Sequence, residues 1–169
     1  MRLIALALLS VLSLVAESQA ADLEANKKLY RAYIENVINS RHPEDTDKYF
    51  AADFIEHNPN LGQGLAGKRQ VVVALLAGFS NYHGEIEQIV AEGDRIAVRV
   101  LWTGTQDGPF LGRPATGNKV KFNTADFFRI EGGKLAEHWD VVDSLPRAIA
   151  LGLVAPPSGS TQFVQPPAK

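Results

Sequence analysis

The chain contains no cysteine among its 169 residues. It therefore has no disulfide framework, no thiol nucleophile and no thiolate metal ligand, and its stability must come from a packed core. It also lacks an excess of charge of either sign, since 17 Lys and Arg stand against 19 Asp and Glu, for a formal charge of −2. This balance argues against the basic surface that a nucleic-acid-binding protein needs.

Several site motifs are missing as well. No pair among the four histidines has a short ligand spacing such as H-x-H or H-x-x-x-H, so we expect no metal. No G-x-S-x-G elbow is present, which leaves a serine-hydrolase triad without support. Residues 62–67 match G-x-G-x-x-G, but an antiparallel hairpin follows instead of a βαβ unit. We interpret these glycines as a tight helix entry and expect no cofactor.

A long apolar run occurs at the N-terminus. Arg2 precedes the apolar run Leu3 to Ala16, and Ser18-Gln19-Ala20 places small residues where a signal peptidase reads. The run is shorter than the ~20 residues that span a bilayer. We therefore predict a signal peptide over residues 1–20, a periplasmic or secreted protein, and no membrane span after cleavage. The mature chain is predicted to be one domain over residues 21–151, with a proline-rich, disordered tail over residues 152–169.

The first part of the mature chain has helical patterning around one short strand. Asp22 to Ser40 places apolar residues at helical spacing beside a charged face, which predicts a long amphipathic helix. The other elements predicted here are a short helix from Pro43 through Phe50, a strand from Asp53 to Asn58 and a helix from Lys68 to Ala77.

From His83 onward the pattern changes to strands. The predicted elements are strands Ile86 to Ala91 and Ile96 to Thr105, an exposed flap from Gln106 to Asn118, a hairpin from Val120 to Asp143 and a closing helix from Ser144 to Leu151. Helices followed by antiparallel strands indicate an α+β fold. We predict a cone-shaped barrel of a curved, mainly antiparallel sheet, covered by the N-terminal helices and open at one end.

The hairpin places acids and a histidine among apolar side chains. Its first strand alternates so that Asp126 shares a face with Phe122 and Phe128, and its second places His138 and Asp140 on one face. Gly132-Gly133 suits a two-residue turn that needs positive φ. Asp126 and Asp140 are therefore predicted to face one cavity.

Three segments carry a resemblance to a known family: residues 54–59 (FIEHNP), 126–130 (DFFRI) and 133–140 (GKLAEHWD). Over about residues 23–151 the chain resembles the SnoaL-like polyketide cyclases, in the wider group folded like nuclear transport factor 2 and ketosteroid isomerase. The resemblance implies an α+β cone and cofactor-free ring closure by aldol chemistry, with an acid/base aspartate that matches Asp140. It also implies pocket roles for Asn58, for Asp126 and, loosely, for Tyr33. Where some cyclases use a histidine on the penultimate strand, this chain has Asp126.

Each candidate residue has a structural alternative. Burial among Trp102, Phe122 and Phe128, which we predict to contact the substrate, would raise the pKa of Asp140 towards the working pH. Alternatively, backbone groups or an arginine could hold Asp140 as a structural acceptor. His138 lies about 7 Å along the strand from Asp140, and it could be catalytic or a core histidine.

The segment before Pro59 offers two further candidates, of which only one is expected to face inward. Asn58 could hold a carbonyl or enolate oxygen, whereas His57 would then point away. Asparagine before proline is also an ordinary turn starter.

Two functions fit these residues. The first is an exported acid/base enzyme of the cyclase or isomerase type acting on a small apolar carbonyl compound. The second is a non-catalytic periplasmic protein that binds an apolar small molecule. The exposed sheet face that carries Glu137, Trp139 and Val141 further predicts a homodimer.

Overall fold

The computed structural model describes residues 22–155 and has an α+β architecture. The predicted signal peptide and residues 156–169 of the predicted tail lie outside the described residues. The strands are β1 (Phe50–Glu56), β2 (His83–Glu92), β3 (Arg95–Thr105), β4 (Lys119–Glu131) and β5 (Lys134–Val142). The helices are α1 (residues 22–33, continued by π-helical Ile34–Asn39), a 3₁₀ helix (Pro43–Lys48), α2 (Gly64–Gly78) and α3 (Ser144–Ala150).

The five strands form one curved sheet in the order β1, β5, β4, β3, β2. All neighbouring pairs are antiparallel except β1 with β5, which run parallel. The α+β prediction is confirmed, although the sheet does not close into a complete barrel. No helix within residues 22–155 is long and apolar enough to cross a membrane.

The register of the predicted hairpin decides where the site forms. Gly132 and Gly133 turn the chain with φ of 56° and 72°, values that only glycine adopts without strain. The antiparallel pairing then puts Asp126 directly opposite Asp140. The predicted inward face of β4 is confirmed, because Val120, Phe122, Thr124, Asp126, Phe128 and Ile130 are all buried.

Several predicted elements have different bounds in the structure, among them α2, which begins at Gly64 and not at Lys68, and β2, which begins at His83 and not at Ile86. The helix predicted from Pro43 through Phe50 ends at Lys48, because Phe50 already begins β1 and aligns with Leu135 of β5. The strand predicted from Asp53 to Asn58 is β1, which starts earlier and ends at Glu56. A register irregularity between Phe50 and Ile55 interrupts the alternation, which is why the sequence pattern revealed only the second half of this strand.

The core lies between the inner face of the sheet and helices α1 and α2. Tyr30, Tyr33 and Phe50 are almost fully buried, and the Tyr33 and Phe50 rings meet edge-on with centroids 4.9 Å apart. Burial of each large side chain contributes about 1.5–3 kcal/mol to folding. The two tyrosine rings also form part of the wall of a cavity that lies between the sheet and the helices.

Two glycine-rich segments were interpreted from the sequence, residues 62–67 as a helix entry and residues 106–118 as a flap. A Cβ on Gly67 would lie 2.0 Å from the carbonyl carbon of Gly62, so these residues form a tight helix entry, as predicted. The flap is mostly exposed, but the buried Gln106 anchors it. Gln106 donates hydrogen bonds to the carbonyls of Gly108 and Pro114 and accepts one from Thr116.

Candidate functional site

A cavity of about 830 Å³ lies between the inner sheet face and helices α1, α2 and α3. Its walls are largely apolar, and the predicted contact residues Trp102, Phe122 and Phe128 all line it. The three predicted acid/base residues, Asp126, His138 and Asp140, reach it from β4 and β5. The structure therefore brings together the residues that the sequence placed on one face of the hairpin.

A buried acid–histidine cluster, formed by Glu56, His138 and Asp126, underlies the cavity. His138 Nδ1 lies 2.8 and 2.9 Å from the two carboxylate oxygens of Glu56. On the other side of the ring, His138 Nε2 lies 3.2 Å from Asp126 Oδ1. All three side chains are buried, so the imidazole sits between two carboxylates with little access to water.

This arrangement favours the protonated imidazole. Burial alone would lower the pKa of His138, but the hydrogen bonds with Asp126 and Glu56 outweigh it and raise the pKa above its usual range. Burial likewise acts to raise the pKa of Glu56, and the hydrogen bond with His138 reverses this and lowers it. With both ring nitrogens bonded, His138 holds its proton between the two acids.

Two further polar groups extend the cluster along β4 and β3. Asp126 Oδ2 accepts a hydrogen bond of 2.5 Å from the hydroxyl of Thr124, which in turn accepts one of 2.9 Å from Trp102 Nε1. Among residues 22–155, no buried side-chain nitrogen or oxygen lacks a hydrogen-bond partner. The orientation of Asp126 is therefore fixed from both sides.

Asp140 occupies a different environment on the same strand as His138. It is half-buried, and burial raises the pKa of its carboxyl above the usual range, although nearby His138 and the hydrogen bond from Asn58 oppose the shift. Asn58 Nδ2 donates that bond to Asp140 Oδ1 over 2.6 Å. In the described part of the chain, no arginine, lysine or histidine forms an ion pair with Asp140. The carboxyl thus lines the cavity without an arginine partner.

The remaining predicted contact residues divide between the interior and the edge. Tyr33 is buried and lines the cavity, and burial raises the pKa of its hydroxyl. His57 and Asn58 both contact the cavity, but the exposed His57 stacks on Trp139 at 4.3 Å and lies 2.8 Å from a carboxylate oxygen of Glu137. Of this pair, Asn58 is the one bonded to a site acid.

Two residues with a clear place in the site escaped the sequence analysis. Glu56 belongs to the segment of residues 54–59 and alternates with buried Phe54, so a period-two reading of that segment could have found it. Lys68 on α2 lines the cavity and lies 5.1 Å from the centre of the Phe50 ring. No local pattern distinguishes Lys68 from an ordinary solvent-facing helix residue.

Spacing along the chain does not reveal the residues that could bind a metal, because these residues come together only in the folded structure. Ligand atoms of Asp126, His138 and Asp140 lie within 4.8 Å of one another. A divalent ion there would need His138 Nε2 without its proton and in place of its bond to Asp126. Two flanking carboxylates favour the opposite, protonated state. The donor set therefore suits an imidazolium between acids better than a metal.

An α+β cone with a half-buried carboxyl group in a largely apolar cavity has the geometry of a site for a small molecule. A family model described as SnoaL-like polyketide cyclase matches residues 27–150, and the chain belongs to that family. Family membership indicates cyclase-type function, as the resemblance implied. None of the curated proteins matches the chain.

Solved structures agree with the fold assignment. TsrD from Streptomyces laurentii is 27% identical, with a TM-score of 0.71 over 78% of this chain and 97% of that one. AclR from Streptomyces galilaeus, a proposed hydroxylase, is 26% identical, with a TM-score of 0.73 over 80% of this chain and 86% of that one. A proposed polyketide cyclase from Acidithiobacillus ferrooxidans is 27% identical, with a TM-score of 0.66 over 78% and 96%.

Proposed function

We propose that this protein is an exported, cofactor-free acid/base enzyme of the cyclase or isomerase type that acts on a small, mostly apolar carbonyl compound. The observation that carries the proposal is the Asp140 carboxyl, which lines an apolar cavity with a raised pKa and an asparagine donor. A carboxyl with a pKa nearer neutrality transfers protons efficiently in both directions. Asp140, unlike Asp126, the other acid that lines the cavity, is not paired with His138.

The reaction begins with Asp140 as a base. Its carboxylate removes the proton from a carbon next to a carbonyl group, and the electron pair of the broken C–H bond moves to the carbonyl oxygen as an enolate. In a cyclase, the enolate carbon then forms a bond to a second carbonyl carbon. Protonated Asp140 returns its proton to the oxygen of that second carbonyl, so the carboxylate is regenerated and no net proton is consumed.

His138 has a different part in this scheme. Because both of its nitrogens already lie against carboxylates, it is not free to collect a proton from the substrate. Its positive charge offsets those of Glu56 and Asp126, which otherwise would discourage ionisation of Asp140. We therefore assign His138 and Asp126 to tuning Asp140.

The enolate oxygen needs donors where negative charge develops. Asn58 gives one amide hydrogen to Asp140 and has a second on the same nitrogen. In the proposed complex, this second hydrogen and the Tyr33 hydroxyl bind the enolate oxygen. The same asparagine would then position the base and stabilise the charge that the base creates.

The experiment first identifies the bound ligand, because its structure would limit which reactions the protein could catalyse. Protein from the exported fraction would be denatured and the released small molecules identified by mass spectrometry. Each compound would then be incubated with wild-type protein and with Asp140→Asn. The proposal requires a carbonyl compound that the wild type converts and the variant binds without conversion. Recovery of an apolar ligand that neither protein changes would favour the non-catalytic binding protein instead.

Export is the part of the proposal that concerns the first 20 residues. We expect the exported protein to begin at Ala21, because Ser18-Gln19-Ala20 presents small residues to the peptidase after an apolar run. N-terminal sequencing of protein from the periplasm or medium measures this directly. An intact Met1 on the exported protein would contradict it.

We also propose a homodimer formed through the outer sheet face. That face exposes Val90, Phe127 and Val141, of which Val141 is 67% exposed, and a monomer gains nothing from leaving apolar side chains in water. A stable interface needs about 800 Å² from each partner. We expect a dimer by sedimentation, and mostly monomer for Val141→Lys, because the substitution would bury like charges near one another. Val73→Lys, at an exposed position on α2, is the matched control. A monomeric wild type would refute the dimer.

A further inference from the structure

The cavity contains two cationic side chains that the acid/base chemistry does not use. Lys68 reaches it from α2 and Arg147 from α3, and both are half-buried. Within residues 22–155, neither forms an ion pair with a carboxylate, although six of the other lysines and arginines do. Both therefore present a charge at the cavity wall that no carboxylate of the described residues meets at ion-pair distance.

Their positions are held by aromatic rings. Lys68 Nζ lies 5.6 Å from the centre of the Tyr33 ring and 5.1 Å from that of Phe50. The Arg147 guanidinium lies 5.6 Å from the centre of the Phe122 ring. A ring face attracts a cation but leaves its N–H groups able to donate elsewhere. Both cations thus lie on the cavity wall, and although Lys68 also interacts with the Tyr33 hydroxyl and acts to lower its pKa, an ammonium has three donors and can bind a further group.

Neutralisation of the site acids accounts for these two cations only in part. The charges of Glu56 and Asp126 are already met at hydrogen-bond distance by His138. Lys68 forms no ion pair with a carboxylate of the described residues, although its charge helps to lower the pKa of Glu56, and Arg147 reaches the cavity from α3. What both cations can contact is a molecule inside the cavity.

We propose that the ligand is an anionic amphiphile, whose apolar body fills the cavity and whose ionised acidic group, a carboxylate or its equivalent, binds Lys68 with Arg147 as the second cation. This deepens the proposed function and rests on it, since it names the charge of the compound that the same cavity takes. A charge-assisted hydrogen bond is about twice as strong as a neutral one, so the acidic group would add both affinity and orientation. Binding by its acid would fix which carbonyl carbon faces Asp140.

A pair of fluorescent dyes tests this without knowledge of the natural ligand. N-phenyl-1-naphthylamine is neutral, and 8-anilinonaphthalene-1-sulfonate has the same ring system with one added anionic group. We expect wild-type protein to bind the sulfonate at least ~10-fold more tightly, in line with hydrogen bonds to charged groups. Raised salt should weaken binding of the sulfonate and leave that of the neutral dye nearly unchanged.

Variants of Lys68 and Arg147 then test whether these two side chains cause the preference for the sulfonate over the neutral dye. Lys68→Met keeps the length and apolar stem of the side chain, so we expect it to lower the sulfonate-to-neutral affinity ratio by about 10-fold. Arg147→Met should lower the ratio as well, and the double variant should abolish it. Lys121→Met, at an exposed position of β4 outside the cavity, is the control and should leave the ratio unchanged.

Several results would overturn the proposal. Equal affinities in wild type, or an equal loss for both dyes in Lys68→Met, would leave a neutral apolar cavity and the proposed enzyme intact. A loss of both affinities in Phe127→Ser would put the dyes on the outer sheet face and show that the cavity does not take an anionic amphiphile. Binding of neither dye would count against the apolar cavity itself, and so against the proposed function too.

Discussion

Replacement of Asp140 by asparagine is expected to lower turnover by roughly 10² to 10⁴ while stability at pH 7 holds or rises. The loss of turnover is the usual contribution of a positioned proton-transfer group. The amide of Asp140→Asn can still present its oxygen to Asn58 Nδ2, which now donates over 2.6 Å. It also removes the cost of burying a carboxylate, which is the largest cause of the raised pKa of Asp140 and outweighs the lost attraction to His138.

The stability of Asp140→Asn relative to wild type should also depend on pH, in a direction set by the pKa of Asp140. The pKa of Asp140 is raised from 3.8 in the folded protein, so the folded state binds its proton more tightly than the unfolded state does. The contribution of Asp140 to stability is therefore complete below about pH 3.8 and is lost as the pH rises through the folded pKa. We expect the stability of Asp140→Asn relative to wild type to increase over that interval and then level off.

Denaturant melts across the pH range measure this without a substrate. Asp143→Asn, an exposed aspartate just beyond the end of β5, serves as the control for simple loss of a charge. A loss of about 1–3 kcal/mol in Asp140→Asn at pH 7, the cost of an unmet hydrogen bond, would mean that Asp140 is a structural acceptor. That result would contradict the acid/base role of Asp140 and favour a non-catalytic binding protein.

Period-two alternation predicted the half of the site that lies on one hairpin. Asp126, His138 and Asp140 are close along the chain, and a turn of two glycines fixes their register, so local rules were sufficient. Their partners come from elsewhere. Asn58 and Asp140 are 82 positions apart, and so are Glu56 and His138.

The parallel pairing of β1 with β5 creates those distant contacts, and alternation cannot reveal it. Glu56 aligns with His138 because β1 adds to the edge of the sheet after β5, across the whole intervening domain. The sequence showed that Glu56 sits on a strand beside His57 and Asn58, but which strand it would join depends on the packing of the complete sheet. Lys68 was missed for a related reason, since the side of α2 that meets the cavity is set by tertiary packing.

Replacement of His138 by leucine is expected to destabilise the protein by about 3–5 kcal/mol, the typical cost of removing one partner from a buried ionic cluster. Leucine has a similar volume, so most of the loss would come from leaving Glu56 and Asp126 buried without a cation. His138 is only 3% exposed, and water cannot easily replace it. His57→Leu is the matched control, because His57 pairs with Glu137 at the surface, where such pairs contribute about 0–1 kcal/mol.

The loss of stability in His138→Leu, called the deficit below, should be largest within a defined pH range. The folded pKa of His138 is raised, so its contribution is complete below about pH 6.5 and is lost as the pH rises through the folded value. The folded pKa of Glu56 is lowered, so its contribution is present above about pH 4.5 and is lost as the pH falls through the folded value. The deficit should therefore be greatest between about pH 4.5 and 6.5 and shrink on both sides.

A combined variant separates charge from packing in this cluster. His138→Leu together with Glu56→Gln and Asp126→Asn removes the cation and both uncompensated carboxylates, so it should be more stable at pH 6 than His138→Leu alone, although amides in an apolar site do not restore every hydrogen bond. Chemical denaturation of the wild type, His138→Leu, His57→Leu and the combined variant gives their free energies of unfolding. If His138→Leu costs no more than His57→Leu, or if its deficit is the same at pH 4, 6 and 9, then His138 is not an imidazolium held between two acids. The tuning role proposed for it would fall with that result.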